Sequence, residues 1–195
     1  MKFAQVFSDV FIHLMCILRV FLGRPCLLVD VKTQSLQLCV RGDRAERFKI
    51  STAKRGTGEQ LNSGKTPRGW FWICQKIGHG EAPSTVFRGR SPIGPFSAYQ
   101  DLSDPILGRI LWLAGLQYAN SVTQERYIYI HGSAQAQGFG TTPQSEGCIR
   151  MDKEEVVRLY NRVEGGCWVY IYDAGNALWG QHFSHRLLSY WFDFH

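Results

Sequence analysis

Seven short runs rich in β-branched, aromatic and aliphatic residues, each closed by polar or glycine-containing punctuation, limit what this chain can fold into more than any other feature. LLVDV, SLQLCV and RFKIST follow one another across turn-length gaps and predict a meander from about residue 27 to 52. GWFWICQKI, GRILWLAGL, RYIYIHG and GCWVYIY predict further strands, and the alternation in YIYIHG predicts a strand ending at His131. Only MDKEEVVRLYNRV carries a helical signature within this region, with Asp152 placed to cap it and Glu154 and Glu155 in its first turn. The expected fold is mainly β with one helix after Cys148. No internal repeat is present. Residues 78 to 105 are rich in Gly, Pro and Ser and are expected to form an irregular lid or binding loop.

A chain of 195 residues with 45% hydrophobic and 19% charged side chains can bury one sizeable core. One domain over residues 27–173 is expected, between extensions 1–26 and 174–195. In the first extension Phe3, Val6, Phe7, Val10, Phe11, Leu14, Leu18 and Phe21 recur at steps of three and four, the period of an amphipathic helix. Asp9, His13 and Arg19 interrupt it, and one Asp costs about 2.5–3.5 kcal/mol at the centre of a spanning helix. A helix packed on the domain, or in peripheral contact with a membrane surface, is therefore expected, with a secretion signal or inner-membrane anchor as the alternative. The tail LWGQHFSHRLLSYWFDFH is expected to pack its aromatic residues. Although His182 and His185 would share a helix face, and His195 lies nearby, no carboxylate or thiolate completes a ligand set, so no metal and no cofactor is expected.

The 22 basic and 16 acidic side chains give a net charge of +6 but form no basic run, and no nucleic-acid motif accompanies them. Nucleic acid is not an expected partner, and the sequence assigns no oligomeric state. Six cysteines stand at 16, 26, 39, 74, 148 and 167 without a CxxC pair or a zinc spacing. Cys39, Cys74 and Cys167 lie in strand patterns and are expected to pack as small apolar residues. So many spare thiols suit a reducing compartment, so a cytoplasmic location is expected and a periplasmic one is the alternative.

Cys148 is different. It lies in SEGCIRM, where Gly147 lets the backbone approach a bound group and where turn amides can lower a thiol pKa or hold an oxyanion. His131, at the end of its strand, is the candidate base, and a solvated or hydrogen-bonded strand-end histidine is the plainer reading.

KTPRGWFWI, YIYIHGS and SEGCIRM, in that order, resemble the L,D-transpeptidase (YkuD-type) family, whose signature is His-Gly followed by Ser/Thr-His-Gly-Cys, an apolar residue and Arg or Asn. LLVDVKTQSLQLCV and FKISTAKRGTGEQLNSGKTPRGWF are similar to its opening hairpin and its Thr-Pro stretch, so the likeness runs from about Leu27 to Tyr172. It implies an L,D-transpeptidase-type β-sandwich that acts on a peptidoglycan stem peptide or muropeptide. In such a domain a cysteine attacks the carbonyl of the third stem residue, usually a diaminopimelate, and the terminal D-alanine leaves. An amine then takes the acyl group to form a cross-link, or water takes it with a net L,D-carboxypeptidase outcome. Carried over by position, Cys148 is the nucleophile, His131 the general base, and the Gly147 and Cys148 amides the oxyanion hole. Arg150 either holds a substrate carboxylate or braces the loop, and Gly132, Ser133 and Ser145 tune the site or touch substrate.

The sequence departs from the family where Glu146 replaces the histidine beside Gly-Cys. A carboxylate close to the sulfur would repel a thiolate and push the thiol pKa up. Glu146 is therefore expected to turn outward, to pair with protonated His131, or to orient a substrate ammonium. A catalytically degenerate member that only binds peptidoglycan peptides is the alternative to an acyltransferase. Hydrolysis of muropeptides fits a cytoplasmic enzyme, and cross-linking an exported one.

Overall fold

The computed structural model describes residues 18, 19, 22–135 and 137–173. Leu18 and Arg19 are helical. The rest of the amphipathic pattern up to residue 21, and the aromatic tail with its three histidines, lie outside the described residues.

The predicted meander forms as β1 (Cys26–Asp30), β2 (Ser35–Cys39) and β3 (Glu46–Ser51). β4 (Gly69–Ile77), β5 (Thr85–Arg88), β6 (Ser91–Pro95) and β7 (Ile106–Gly115) follow. The chain then builds β8 (Tyr129–Ser133), β9 (Ile149–Asp152), helix α1 (Lys153–Arg162) and β10 (Trp168–Tyr172). Strand order is β4-β10-β1-β2-β3-β9-β8-β7-β5-β6, and an additional β4–β7 pairing closes the first eight into a ring. The mainly β fold with one α-helix after the cysteine is as expected, and its strands form a single ten-stranded sheet.

β7 makes the closure. One of its edges pairs with β8, while its other edge pairs with β4 from Ile110 to Gly115 and with β5 at Ile106 and Leu107. Between these stretches Gly108 adopts φ +68°, and a Cβ there would lie 2.9 Å from the Pro83 carbonyl oxygen. Alternate strand residues point inward, among them Leu27 and Val29, Phe71 and Ile73, Leu111 and Leu113, and Val169 and Ile171, and together they form one core. α1 adds Val156, Leu159 and Tyr160 from one face, and Asp152 caps it by accepting hydrogen bonds from the Glu154 and Glu155 amides at 2.9 and 3.2 Å.

Three sequence expectations change. Residues 78–105 are only partly irregular: they hold the β5–β6 hairpin, whose two-residue turn Gly89–Arg90 has φ +56° and +70°, the pattern of a type I′ turn, between non-strand stretches 78–84 and 96–105. β6 is an edge strand, which is where Pro92 and Pro95 are tolerated, and these prolines masked it in the sequence. His131 lies in the middle of β8 rather than at its tip, because Gly132 and Ser133 continue the ladder against Met151 and Asp152 of β9. Cys74 is half-buried beside a bulge in β4 and donates its thiol hydrogen to the Trp112 carbonyl at 3.3 Å, whereas Cys39 and Cys167 are buried as expected.

Gly132 is closely hemmed in by the elements beside β8, since a Cβ there would lie 2.6 Å from the Leu107 carbonyl oxygen of β7 and 3.0 Å from Lys153 Cα of α1. Both neighbours are backbone. Gly132→Ala is expected to cost about 1–3 kcal/mol, the usual range for overpacking, read as a lower urea midpoint. An unchanged midpoint would show that β7 and α1 can give way there without loss.

Candidate active site

Cys148 stands one residue before β9, and two residues later Arg150 is the register partner of His131 on β8. Side chains two apart on a strand share a face, and so do register partners, so Cys148, Arg150 and His131 gather on the outer face of the β8–β9 pair. Ile128, Ile130, Ile149 and Met151 turn to the core instead. On the outer face Phe87, Ile110 and Tyr129 form an apolar cluster against which Cys148, Ile106 and Trp112 pack.

His131 is buried, and its Nδ1 lies 2.9 Å from the Gly132 carbonyl oxygen. A carbonyl can only accept, so Nδ1 carries the hydrogen and Nε2 of the neutral ring keeps its lone pair. Burial lowers the His131 pKa and Arg150 lowers it further, against the Gly132 hydrogen bond and the Asp104 charge, which raise it. The thiol of Cys148 donates to the Tyr127 carbonyl at 3.4 Å. Tyr127 reaches that position with φ +54°, a left-handed conformation unusual for an aromatic residue. Desolvation pushes the Cys148 pKa up to about 11 and Asp104 adds to this, while the Tyr129 backbone hydrogen bond, Arg150 and Arg126 pull it back. The resting pair is therefore a neutral thiol and a neutral imidazole.

The loop before the cysteine is fastened by segments far away in the chain. Ser145 Oγ accepts from the Gly147 amide at 3.2 Å and donates to the Cys148 carbonyl at 2.5 Å. Thr66, in the Thr-Pro stretch, donates to the Gly147 carbonyl at 3.0 Å while accepting from the Ala53 amide at 3.0 Å. Ser51 Oγ accepts from the Gln144 amide at 2.9 Å, and the Ser145 amide donates to the Thr52 carbonyl at 2.9 Å. Gly147 holds φ +131° at the centre of this clamp, with the place of a Cβ 3.2 Å from Ile128 Cδ1. Ser133 is buried, and its Oγ accepts from the Gln135 amide at 3.3 Å.

Of the three expectations for Glu146, the outward one describes this structure. Its side chain is 75% exposed and pairs with Lys54 Nζ at 3.1 Å. The acid whose charge reaches the thiol is Asp104, which the sequence did not single out. Its Oδ1 accepts from Arg150 Nη1 at 2.7 Å, and the Arg150 side chain is only 3% exposed. Arg150 thus ties the segment before β7 to the β8–β9 pair, with Nε buried and unpartnered among the described residues. The hairpin contributes as well: Arg90 lies 4.4 Å from the Trp112 ring centroid and 5.4 Å from that of Tyr127. Phe87 and Arg90 make residues 78–105 part of the site wall, so removing the segment would take away structure.

Among the described residues no group of three or more His, Cys, Asp or Glu side chains could hold a metal ion.

The profile of the L,D-transpeptidase catalytic domain family, YkuD, matches residues 24–171, and the chain belongs to that family. No curated protein sequence matches it. Among solved structures, an L,D-transpeptidase from Xylanimonas cellulosilytica is 18% identical with a TM-score of 0.49, covering 77% of this chain and 61% of its own. One from Mycobacterium smegmatis is 17% identical with a TM-score of 0.47, covering 76% and 58%. A mutant L,D-transpeptidase from Enterococcus faecium is 18% identical with a TM-score of 0.48, covering 76% and 50%. The chain thus spans between 50% and 61% of the length of these relatives.

Cys148 labelling by a thiol reagent should rise with pH toward an inflection near 11. Asp104→Asn removes a charge that raises the thiol pKa and should move the inflection down, whereas Glu146→Gln, at an exposed acid paired with Lys54, should leave it in place. The reverse ranking of the two variants would mean that Glu146 is the acid acting on the thiol.

Proposed function

We propose that this chain is a cysteine acyltransferase acting on peptidoglycan stem peptides, with Cys148 as nucleophile and His131 as general base. The observation that carries this reading is the His131 ring, whose Nδ1 is held by the Gly132 carbonyl and whose Nε2 is left as a base on the face that Cys148 shares. Family membership supplies the substrate class.

The thiol is protonated near neutrality, so its proton must leave as the carbon–sulfur bond forms. Nε2 of His131 takes it while the sulfur attacks the carbonyl carbon of the third stem residue. The oxyanion is held by the Cys148 amide, and the Gly147 amide joins once it turns from Ser145 Oγ. As the intermediate collapses the carbon–nitrogen bond breaks, and His131 returns the proton to the departing D-alanine nitrogen. In the second half an amine or water gives its proton to His131 and attacks the thioester, and the sulfur regains a proton as it leaves. Two easier steps replace one hard amide exchange. Arg150 is engaged by Asp104, which favours the bracing role over direct capture of a substrate carboxylate.

Hydrolysis to a tripeptide accompanies a cytoplasmic location and cross-linking an exported one, and the spare thiols favour the first. Among the described residues no helix is long and apolar enough to cross a membrane. A binder that does not turn substrate over is the second reading, and the high Cys148 pKa favours it.

Incubation with a disaccharide tetrapeptide, with and without excess amine, followed by mass analysis, tests the proposal. Tripeptide indicates hydrolysis and an amine adduct indicates transfer. Cys148→Ala should abolish both, and His131→Ala should lose about 100 to 10,000-fold, the usual worth of general-base assistance. An unmodified tetrapeptide with folded wild-type protein would leave the binding reading.

A further inference from the structure

We propose that Gln34, in the turn between β1 and β2, is a positioning residue for Cys148 that acts through Thr52 and Ser145. This rests on the acyl-transfer reading above.

β2 starts at Ser35, opposite Lys49 of β3, so Ile50, Ser51 and Thr52 run on past the end of their neighbour. All three are buried, and buried backbone groups need partners. Gln34 supplies them. Its backbone carbonyl accepts from the Ile50 amide at 3.0 Å, and its side-chain oxygen accepts from the Thr52 amide at 2.8 Å. Its Nε2 donates to Thr52 Oγ1 at 2.7 Å and to the Val31 carbonyl at 2.5 Å. The side-chain amide, donor and acceptor at once, serves Thr52 as an additional peptide group of β2 would. Gln34 is itself 2% exposed and holds φ +50°, a left-handed conformation that few residues other than glycine adopt. A backbone cost is accepted where this side chain is turned inward.

From Thr52 the contacts lead to the cysteine. The Thr52 carbonyl accepts from the Ser145 amide at 2.9 Å, and the Lys54 amide donates to the Ser145 carbonyl at 3.0 Å. Ser145 Oγ in turn bonds the Gly147 amide and the Cys148 carbonyl. Thr52 is therefore bonded to Gln34 through its amide and hydroxyl and to the cysteine loop through its carbonyl. His131 stands outside this chain of contacts, because its ladder is made with β7 and β9. Loss of the Gln34 amide lets the loop drift relative to the base, which harms the step in which sulfur, base and carbonyl must align more than it harms substrate binding.

Gln34→Asn tests this. Asparagine tolerates the left-handed backbone well, and its amide stops one methylene short of Thr52. With a disaccharide tetrapeptide, kcat for D-alanine release should fall about tenfold or more while KM stays within about twofold. With no substrate present, labelling of Cys148 at fixed pH should quicken about threefold or more as the loop loosens, while the buried Cys39 and Cys167 stay protected. Thr52→Val keeps the shape and removes only the hydroxyl, so it should move both readouts the same way but less far, and it decides the question should Gln34→Asn not fold. An unchanged kcat, a loss carried by KM, or unchanged Cys148 labelling would overturn the assignment. So would joint labelling of all three cysteines, the mark of general loosening. If the wild-type protein releases no D-alanine, the acyl-transfer reading fails and the labelling comparison alone decides the role of Gln34.

Discussion

The parallel pairing of β8 and β9 is the constraint on which the site depends. Parallel neighbours cannot be joined by a tight turn, so the chain must leave β8 and come back before β9 can pair in the same direction. Here the return covers residues 134–148 without an α-helix among its described residues, and its last four residues are Ser145, Glu146, Gly147 and Cys148. A loop with so little regular structure needs anchors elsewhere, and it has them in Ser51, Thr52 and Thr66, all fully buried. Their hydroxyl and carbonyl groups hold the Gln144, Ser145 and Gly147 backbone. That is the physical content of the Ser-Thr and Thr-Pro stretches, which sit about 80 to 100 residues before the cysteine they help to place.

The electrostatics of the site follow from the same geometry. Because β9 runs beside β8 in register, Arg150 is brought against His131, and a buried guanidinium next to an imidazole would favour the neutral ring even without desolvation. Asp104 offsets part of that charge, at the expense of the thiolate. The arrangement therefore favours a protonated thiol and an unprotonated base over a preformed thiolate–imidazolium pair. In the proposed reaction, charge separation would wait for a substrate carbonyl to take it up.

Much of this was legible in the sequence, for definite reasons. The seven apolar runs became strands because their alternation has the period of a pleated sheet, and α1 starts at Asp152 because its cap and acidic first turn are local signals. β9 was missed because its four residues overlap the start of the helical pattern, and β6 because edge prolines dilute its strand character. Taking His131 as a strand tip failed for a related reason: glycine reads as a breaker, yet Gly132 continues the β8 ladder, where a Cβ would press on Leu107 of β7 and Lys153 of α1. The part played by Asp104 had no local signature at all, since its partner Arg150 is 46 residues away and the contact exists only once β7, β8 and β9 are assembled. Glu146 was recognised as the departure from the family pattern, but its direction depends on Lys54, which a reading of the SEGC motif alone does not supply.

The central claim is that the free protein holds a neutral imidazole with its hydrogen on Nδ1 and its lone pair on Nε2, beside a protonated Cys148. Nitrogen-15 NMR of histidine-labelled protein at pH 7, with His131 assigned through His131→Gln, measures this directly. The account predicts a protonated Nδ1 and an unprotonated Nε2, with no change in the His131 signals when Cys148 is replaced by Ala. Two protonated ring nitrogens in the wild type, one of which is lost in Cys148→Ala, would mean a standing thiolate–imidazolium pair and would contradict it.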